Sequence, residues 1–195
     1  MNSEEILSLA REQGALLDGH FQLSSGLHSP AYFQCARLLQ RPEIATRLGT
    51  ALAAKIQVKS VDLAIAPALG GVLVAHEVAR ALGVRAVFAE REPGTRALTL
   101  RRGFSIEPGE KAVVLEDVVT TGGSLHETME VVRAHGGIVT ATGALVDRSQ
   151  GEITEPDIPF GALVRLEFPT YQPSECPMCQ SGSQPVKPGS RPAPR

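Results

Sequence analysis

The sequence predicts an α/β protein built on a mainly parallel sheet with helices on both faces. Three observations predict it. Apolar runs of strand length recur at 61–66, 85–89, 113–115 and 138–146, and segments with apolar residues at helical spacing alternate with them. Strand-to-helix junctions carry paired glycines, Gly70-Gly71 and Gly122-Gly123. No internal repeat interrupts this order. Repeated strand, turn and helix units favour a parallel sheet, because each helix carries the chain back to begin the next strand in the same direction.

Glu4 to Leu17 places Ile6, Leu7, Leu9, Ala10, Leu16 and Leu17 at roughly helical spacing and stops before Asp18-Gly19, which predicts an amphipathic opening helix. Short strands are expected at Phe21 to Leu23 and Ala31 to Gln34, around a Ser/Gly turn. Pro42 suits the first turn of a helix running to about Ile56, where its missing N–H has no partner to lose. Val61 to Ala66 reads as a strand ending at Pro67-Ala68-Leu69-Gly70-Gly71, followed by a helix from Val72 to Leu82 and a strand from Arg85 to Ala89. Glu90-Arg91-Glu92-Pro93-Gly94-Thr95-Arg96 is polar and broken by Pro-Gly, and Leu98-Thr99-Leu100-Arg101 then alternates like a strand. The pair predicts a mobile hairpin with a basic tip.

A strand at Val113 to Leu115 follows, then a helix from Ser124 to His135 closed by Gly136-Gly137, and a strand from Ile138 to Val146. Beyond Pro169 the chain turns to Pro, Ser and Gly with little apolar content, which predicts loop or partial disorder. The expected organisation is one domain over 1–168, with an N-terminal hood at about 1–40 and a C-terminal extension at 169–195.

Composition narrows the function classes. A chain of 195 residues buries roughly 70% of its unfolded surface, so no metal or disulfide staple is required. A net charge of −2 and a pI near 6.2 give no sequence-wide attraction to nucleic acid. The start, Met-Asn-Ser-Glu-Glu, is acidic where a secretory signal is basic, and no uncharged run reaches membrane-spanning length. Three cysteines, with Cys35 isolated, make no disulfide framework. A cytoplasmic protein with no membrane or nucleic-acid partner is expected.

Residues 113–125 carry the chemistry. Val113-Val114-Leu115 fits a buried parallel strand, and Glu116-Asp117-Val118-Val119-Thr120-Thr121-Gly122-Gly123-Ser124 follows at its carboxyl end, where open α/β sheets bind ligands. Glu116 and Asp117 can accept hydrogen bonds from vicinal ribose hydroxyls. Thr120, Thr121 and Ser124 supply hydroxyls, Gly122 and Gly123 let backbone N–H groups close on a phosphate, and a helix start adds its own N–H groups and positive dipole end. Either half alone has a bland reading, an ordinary turn or a solvated strand edge. Together in this order they describe a sugar-phosphate site.

This segment resembles the phosphoribosyl pyrophosphate (PRPP) signature of type I phosphoribosyltransferases. Two more segments resemble the orotate phosphoribosyltransferase family: Gly19 to Phe33, with its Phe-x-Leu-x-Ser-Gly turn followed by Ser29-Pro30 and aromatics, and Leu145-Val146-Asp147-Arg148. The short form with Thr99 to Phe104 and the Cys-Pro-x-Cys tail is similar to one bacterial branch, and the likeness runs from about residue 4 to 168. The resemblance implies PRPP contacts by Arg91 and by 116–124, and orotate contacts by Thr120, Arg148, Tyr32 and Phe33, with Asp117, Glu116 and Arg91 as catalytic residues. It also implies Mg²⁺ held mainly through PRPP and pyrophosphate, with no metal ligand set of the protein's own, and a homodimer whose basic hairpin serves the neighbouring site.

On chemistry alone Tyr32 and Phe33 also read as core residues, and Arg148 as a surface partner of Asp147. The chain departs from the family where Ser24 replaces a lysine, where Leu69 stands in a loop that commonly carries Tyr-Lys, and where Arg91, Arg96, Arg101 and Arg102 replace lysines and a histidine of the mobile loop. Glu116 stands where Asp is common. The competing functions are transfer to another nucleobase and a non-catalytic PRPP or nucleotide sensor. Cys176-Pro177-Met178-Cys179 is half of a zinc-knuckle pattern without a second cysteine pair, and His20, His28, His76, His126 and His135 show no metal-ligand spacing. Free thiols on a mobile tail are expected, with metal bound across a dimer or with outside ligands as the alternative.

Overall fold

A computed structural model describes residues 1–188 apart from 24, 57, 59, 96, 150–152 and 154. The departure at Ser24 and the loop cation Arg96 therefore lie outside the described residues. The elements run α1 (Ser3–Glu12), β1 (Leu16–Gln22), β2 (His28–Phe33), α2 (Ala36–Leu39), α3 (Pro42–Ile56), β3 (Leu63–Pro67), α4 (Gly70–Leu82), β4 (Arg85–Arg91), β5 (Leu98–Leu100), β6 (Lys111–Val119), α5 (Gly123–Ala134), β7 (Ile138–Asp147) and β8 (Phe160–Arg165), ending in a 3₁₀ turn at Pro173–Glu175 and α6 (Pro177–Gln180).

Six strands form one sheet in the order β5-β4-β3-β6-β7-β8, parallel except for β5, which returns antiparallel along β4. The strand order reverses between β3 and β6, the place where open α/β sheets leave a crevice at the carboxyl ends of their strands. Both faces are covered, and the central strands show why. Ala64, Ala66, Val113 and Leu115 point into a core with α3 and α4, while Leu63, Ile65, Ala112 and Val114 point into a second core with Leu125, Met129 and Val132 of α5. A strand buried on both faces reads as an unbroken apolar run, as Val113-Val114-Leu115 does.

The opening differs from its sequence reading. α1 stops at Glu12, the backbone turns left-handed at Gly14 (φ 61°), and Leu16-Leu17 open β1 by pairing with Phe33 and Tyr32. The two leucines fit helical spacing, but their burial partners are across a hairpin. β1 and β2 are longer than expected for the same reason, and β8 went unread although Phe160 to Val164 is a short apolar run at the sheet edge.

The tail is a second correction. Tyr171 exchanges backbone hydrogen bonds with His28, and Val186 does so with His20 and Gln22, which seats 171–186 on the β1–β2 hairpin. Cys176 is buried, and Cys176 and Cys179 meet His20 and His28. The histidines are therefore not all scattered, and these thiols do not sit on a free tail. Paired backbone, rather than apolar content, orders this stretch. Residues 189–195 lie outside the described residues.

Candidate active site

The loops after β3 and β6 face one another at the reversal point. Asp117 lies within β6, and a Cβ placed on Gly70 would come 2.7–2.8 Å from its carboxylate atoms, so the 67–71 loop approaches it most closely where the chain has no side chain. β6 continues to Val119, so Glu116 and Asp117 sit inside the strand's last turn of pairing rather than after it. Cys35 donates its thiol to the Asp117 carbonyl (3.7 Å).

The acidic pair is electrostatically loaded. Burial, then the neighbouring Asp117 charge, pushes the Glu116 carboxyl up to about 9. Burial also raises Asp117, against the pull of backbone N–H donors. Two carboxylates withdrawn from water in one cleft do not both ionise freely, so the pair holds a proton that ligand hydroxyls or a cation would displace.

Past the pair the chain forms a cradle. Gly122 has φ 77° and caps α5 with no side-chain hydrogen bond, which leaves first-turn N–H groups of α5 facing the loop. Glu116, Val118, Val119, Thr120, Thr121, Gly122, Gly123, Ser124 and Leu125 line a pocket of about 60 Å³ there. A larger cleft of about 630 Å³ shares Val118, Thr120 and Thr121 with it and runs past Asp117 to a wall containing Leu27, Tyr32, Arg148 and Phe168. The anion end and the larger cleft are thus continuous through the two threonines.

At the far wall Arg148 and Asp147 separate. Asp147 is buried and takes hydrogen bonds from the Ser149 N–H (2.9 Å) and Oγ–H (2.6 Å) and from Arg165 Nε (2.9 Å). Burial alone would raise its carboxyl, but these Ser149 and Arg165 donors hold it below the ordinary value. Arg148 instead lies over Phe168, 4.7 Å from guanidinium carbon to ring centroid, and its buried Nε has no hydrogen-bond partner among the described residues. Burial lowers its proton affinity, while Tyr32 opposes that. The ion pair Asp147–Arg148 considered from sequence is therefore replaced by Asp147–Arg165. A half-buried guanidinium with an unmatched, buried Nε–H is a seat for a planar anion.

Tyr32 is half-buried on the cleft wall, its hydroxyl shifted upward by burial and then by Asp117. Phe33 also borders the cleft but is only 3% exposed and belongs to the core. Arg91 lines neither pocket and pairs with Glu127 of α5 at 2.5 Å. Arg102 pairs with Glu90 and Arg101 is exposed on the same β4–β5 arm. Sequence reasoning missed Phe168, Arg165 and Cys35. The Phe160–Arg165 run could have announced β8 and with it Arg165, whereas nothing local marks Phe168 or Cys35 as neighbours of the site.

Residues 35–159 match the phosphoribosyl transferase domain family. The orotate phosphoribosyltransferase of Pelotomaculum thermopropionicum is 51% identical over 98% of this chain and 99% of its own length, and that of Sphingopyxis alaskensis is 52% identical over 98% of each. The crystal structure of orotate phosphoribosyltransferase from Aeropyrum pernix superposes with a TM-score of 0.66 at 26% identity, covering 83% of this chain and 93% of that one.

Proposed function

The chain belongs to the orotate phosphoribosyltransferase family, and from that premise we propose that its cleft transfers the phosphoribosyl group of PRPP to orotate, giving orotidine 5′-monophosphate and pyrophosphate for pyrimidine nucleotide synthesis. One observation carries the division of labour. The anion cradle and the Arg148 wall open into each other through Thr120 and Thr121, which suits a substrate with phosphate at one end, a sugar between, and a flat carboxylate-bearing ring at the other.

In this reading the N–H groups of 120–124 and the hydroxyls of Thr120, Thr121 and Ser124 hold the 5′-phosphate. Glu116 and Asp117 accept hydrogen bonds from the ribose hydroxyls, giving up their shared proton as they do so. Arg148 takes the orotate carboxylate, braced by Phe168, with Tyr32 and Phe33 along the ring wall. The bond from the anomeric carbon to pyrophosphate breaks as the bond to the orotate ring nitrogen forms, and the proton of that nitrogen passes to the departing pyrophosphate. Mg²⁺, carried on PRPP oxygens, would offset charge on the pyrophosphate. The acidic pair fits a cation nearby, since positive charge relieves its like-charge repulsion. Charge neutralisation and exclusion of water then supply the remaining acceleration.

We place Arg91 and the β4–β5 arm in the neighbouring subunit's cleft of a homodimer. Support comes from Arg91 lining neither pocket of its own chain and from two apolar residues at the start of α4, Leu69 (83% exposed) and Leu73 (47%), which a second copy would cover. No helix among the described residues is long and apolar enough to cross a membrane, and a cytoplasmic setting fits three free thiols.

The test is loss of orotate absorbance with PRPP and Mg²⁺, run beside uracil, adenine, hypoxanthine and xanthine. Turnover confined to orotate is the expected result. Turnover with another base would reassign the Arg148 wall, and PRPP binding without any turnover would support a sensor.

A further inference from the structure

Four side chains outside the cleft converge on one point. His20 of β1, His28 of β2, Cys176 before α6 and Cys179 within it each offer a ligand atom, and these atoms all lie within 4.8 Å of one another. The edges are 2.9 Å for His20 Nε2 to His28 Nδ1, 3.5 Å for Cys176 Sγ to His20 Nε2, 3.8 Å for Cys179 Sγ to His20 Nε2, and 3.3 Å for Cys179 Sγ to His28 Nδ1. A tetrahedral zinc ion, with bonds of about 2.0–2.1 Å to nitrogen and 2.3 Å to sulfur, sets edges of about 3.3 Å between nitrogens and 3.6 Å between nitrogen and sulfur. We propose that these residues form a structural Zn²⁺ site that clamps the C-terminal tail to the β1–β2 hairpin.

A second feature points the same way. His20 Nδ1 lies 3.1 Å from the Ser183 carbonyl and 3.2 Å from its hydroxyl. Donating to that carbonyl fixes the tautomer and turns the Nε2 lone pair to the cluster, as a second-shell partner does for a zinc-bound histidine. The donor set selects the ion. Two nitrogens and two sulfurs without a carboxylate disfavour Mg²⁺ and Ca²⁺, and two thiolates balance the charge of Zn²⁺. All four ligands come from the chain, so the site is closed and carries no open position for substrate. Binding releases the two thiol protons.

The clamp also has a reason to exist. α6 is only four residues long, and residues 171–186 otherwise hold the hairpin through a few backbone bonds. Between His20 and His28 lie Leu23, Ser25 and Leu27, and just before Tyr171 lie Phe168 and Thr170, all on the cleft wall. The ion ties both segments of that wall together.

The test uses the full chain, produced with zinc in the medium and kept reduced. Metal analysis should find about one zinc per chain, a Cys176→Ser/Cys179→Ser variant should hold none, and Co²⁺ exchanged into the wild type should show the visible bands of a tetrahedral thiolate complex. Stripping zinc from the wild type with a strong chelator should lower the unfolding midpoint by roughly 5 °C or more, and zinc should restore it. These readouts do not depend on turnover, so they stand or fall apart from the proposed reaction. Wild-type protein that takes up no stoichiometric zinc when reconstituted under reducing conditions would overturn the proposal. A Cys176–Cys179 disulfide in freshly isolated protein would also overturn it.

Discussion

Arg148 and Asp147 are neighbours in sequence with opposite surroundings. Asp147 spends its charge on Ser149 and Arg165, and this brace leaves Arg148 free to face the cleft with a buried N–H unmatched among the described residues. Arg148→Ala should raise KM for orotate roughly 10- to 100-fold with little change in KM for PRPP, and Arg148→Lys should recover only part of the loss because it lacks the planar fork. Steady-state kinetics with each substrate varied would show it, and an equal loss for both substrates would contradict the assignment. Asp117→Asn should instead lower kcat/KM for PRPP by about tenfold or more, since the amide presents an N–H₂ to a donor hydroxyl. The Glu116 carboxyl, at about 9 in the folded chain against an ordinary 4.5, predicts a pH effect. Between those values the folded state holds a proton that the unfolded state has lost, so stability falls as pH rises through the window. Glu116→Gln removes the effect. The variant should match the wild type near pH 5 and exceed it near pH 8 by about 1 kcal/mol, roughly 2–4 °C in thermal melts of unliganded protein.

At the scale of elements, the site depends on two loops meeting at the reversal of strand order. The 67–71 loop meets Asp117 at residue 70, where a Cβ would crowd the carboxylate. Gly70→Ala should therefore displace the Asp117 carboxylate and cut kcat about tenfold or more, while far-ultraviolet circular dichroism stays that of the wild type. Wild-type turnover in that variant would mean that the loop shifts without moving the acid. Elements with their own local signal were legible in sequence: Pro42 and Ile56 bound α3 as read, and the apolar run into Glu116-Asp117 marked β6 and the cradle. Leu16-Leu17 were misread because two adjacent leucines fit either period, and the choice between helix and strand fell to Phe33 and Tyr32 across the hairpin.

For the whole molecule, the hairpin β1–β2 packs on one core through Leu16 and Phe33, and the arm β4–β5 on the other through Leu98 and Leu100. If the arm serves a second subunit, mixing an Arg91→Ala chain with an Asp117→Asn chain should recover activity, because one of the two sites in the mixed dimer has both residues intact. Sedimentation should find the wild type dimeric. A monomer at assay concentration, or mixtures with only the summed activity of their parts, would argue against the shared site.

The sequence by itself determined the alternation of strands and helices, the acid pair, the glycine-rich loop that opens α5 and the late arginine, because each is written in contiguous residues whose spacing sets their local geometry. Tertiary structure alone decided that Asp147 pairs with Arg165 rather than Arg148, that Phe168 backs the guanidinium, that Gly70 yields space to Asp117, and that two histidines near residue 20 meet two cysteines near residue 176. Those contacts join residues separated by from 18 to more than 150 positions. Their partners are chosen by how the sheet and tail pack, and no local periodicity carries that information.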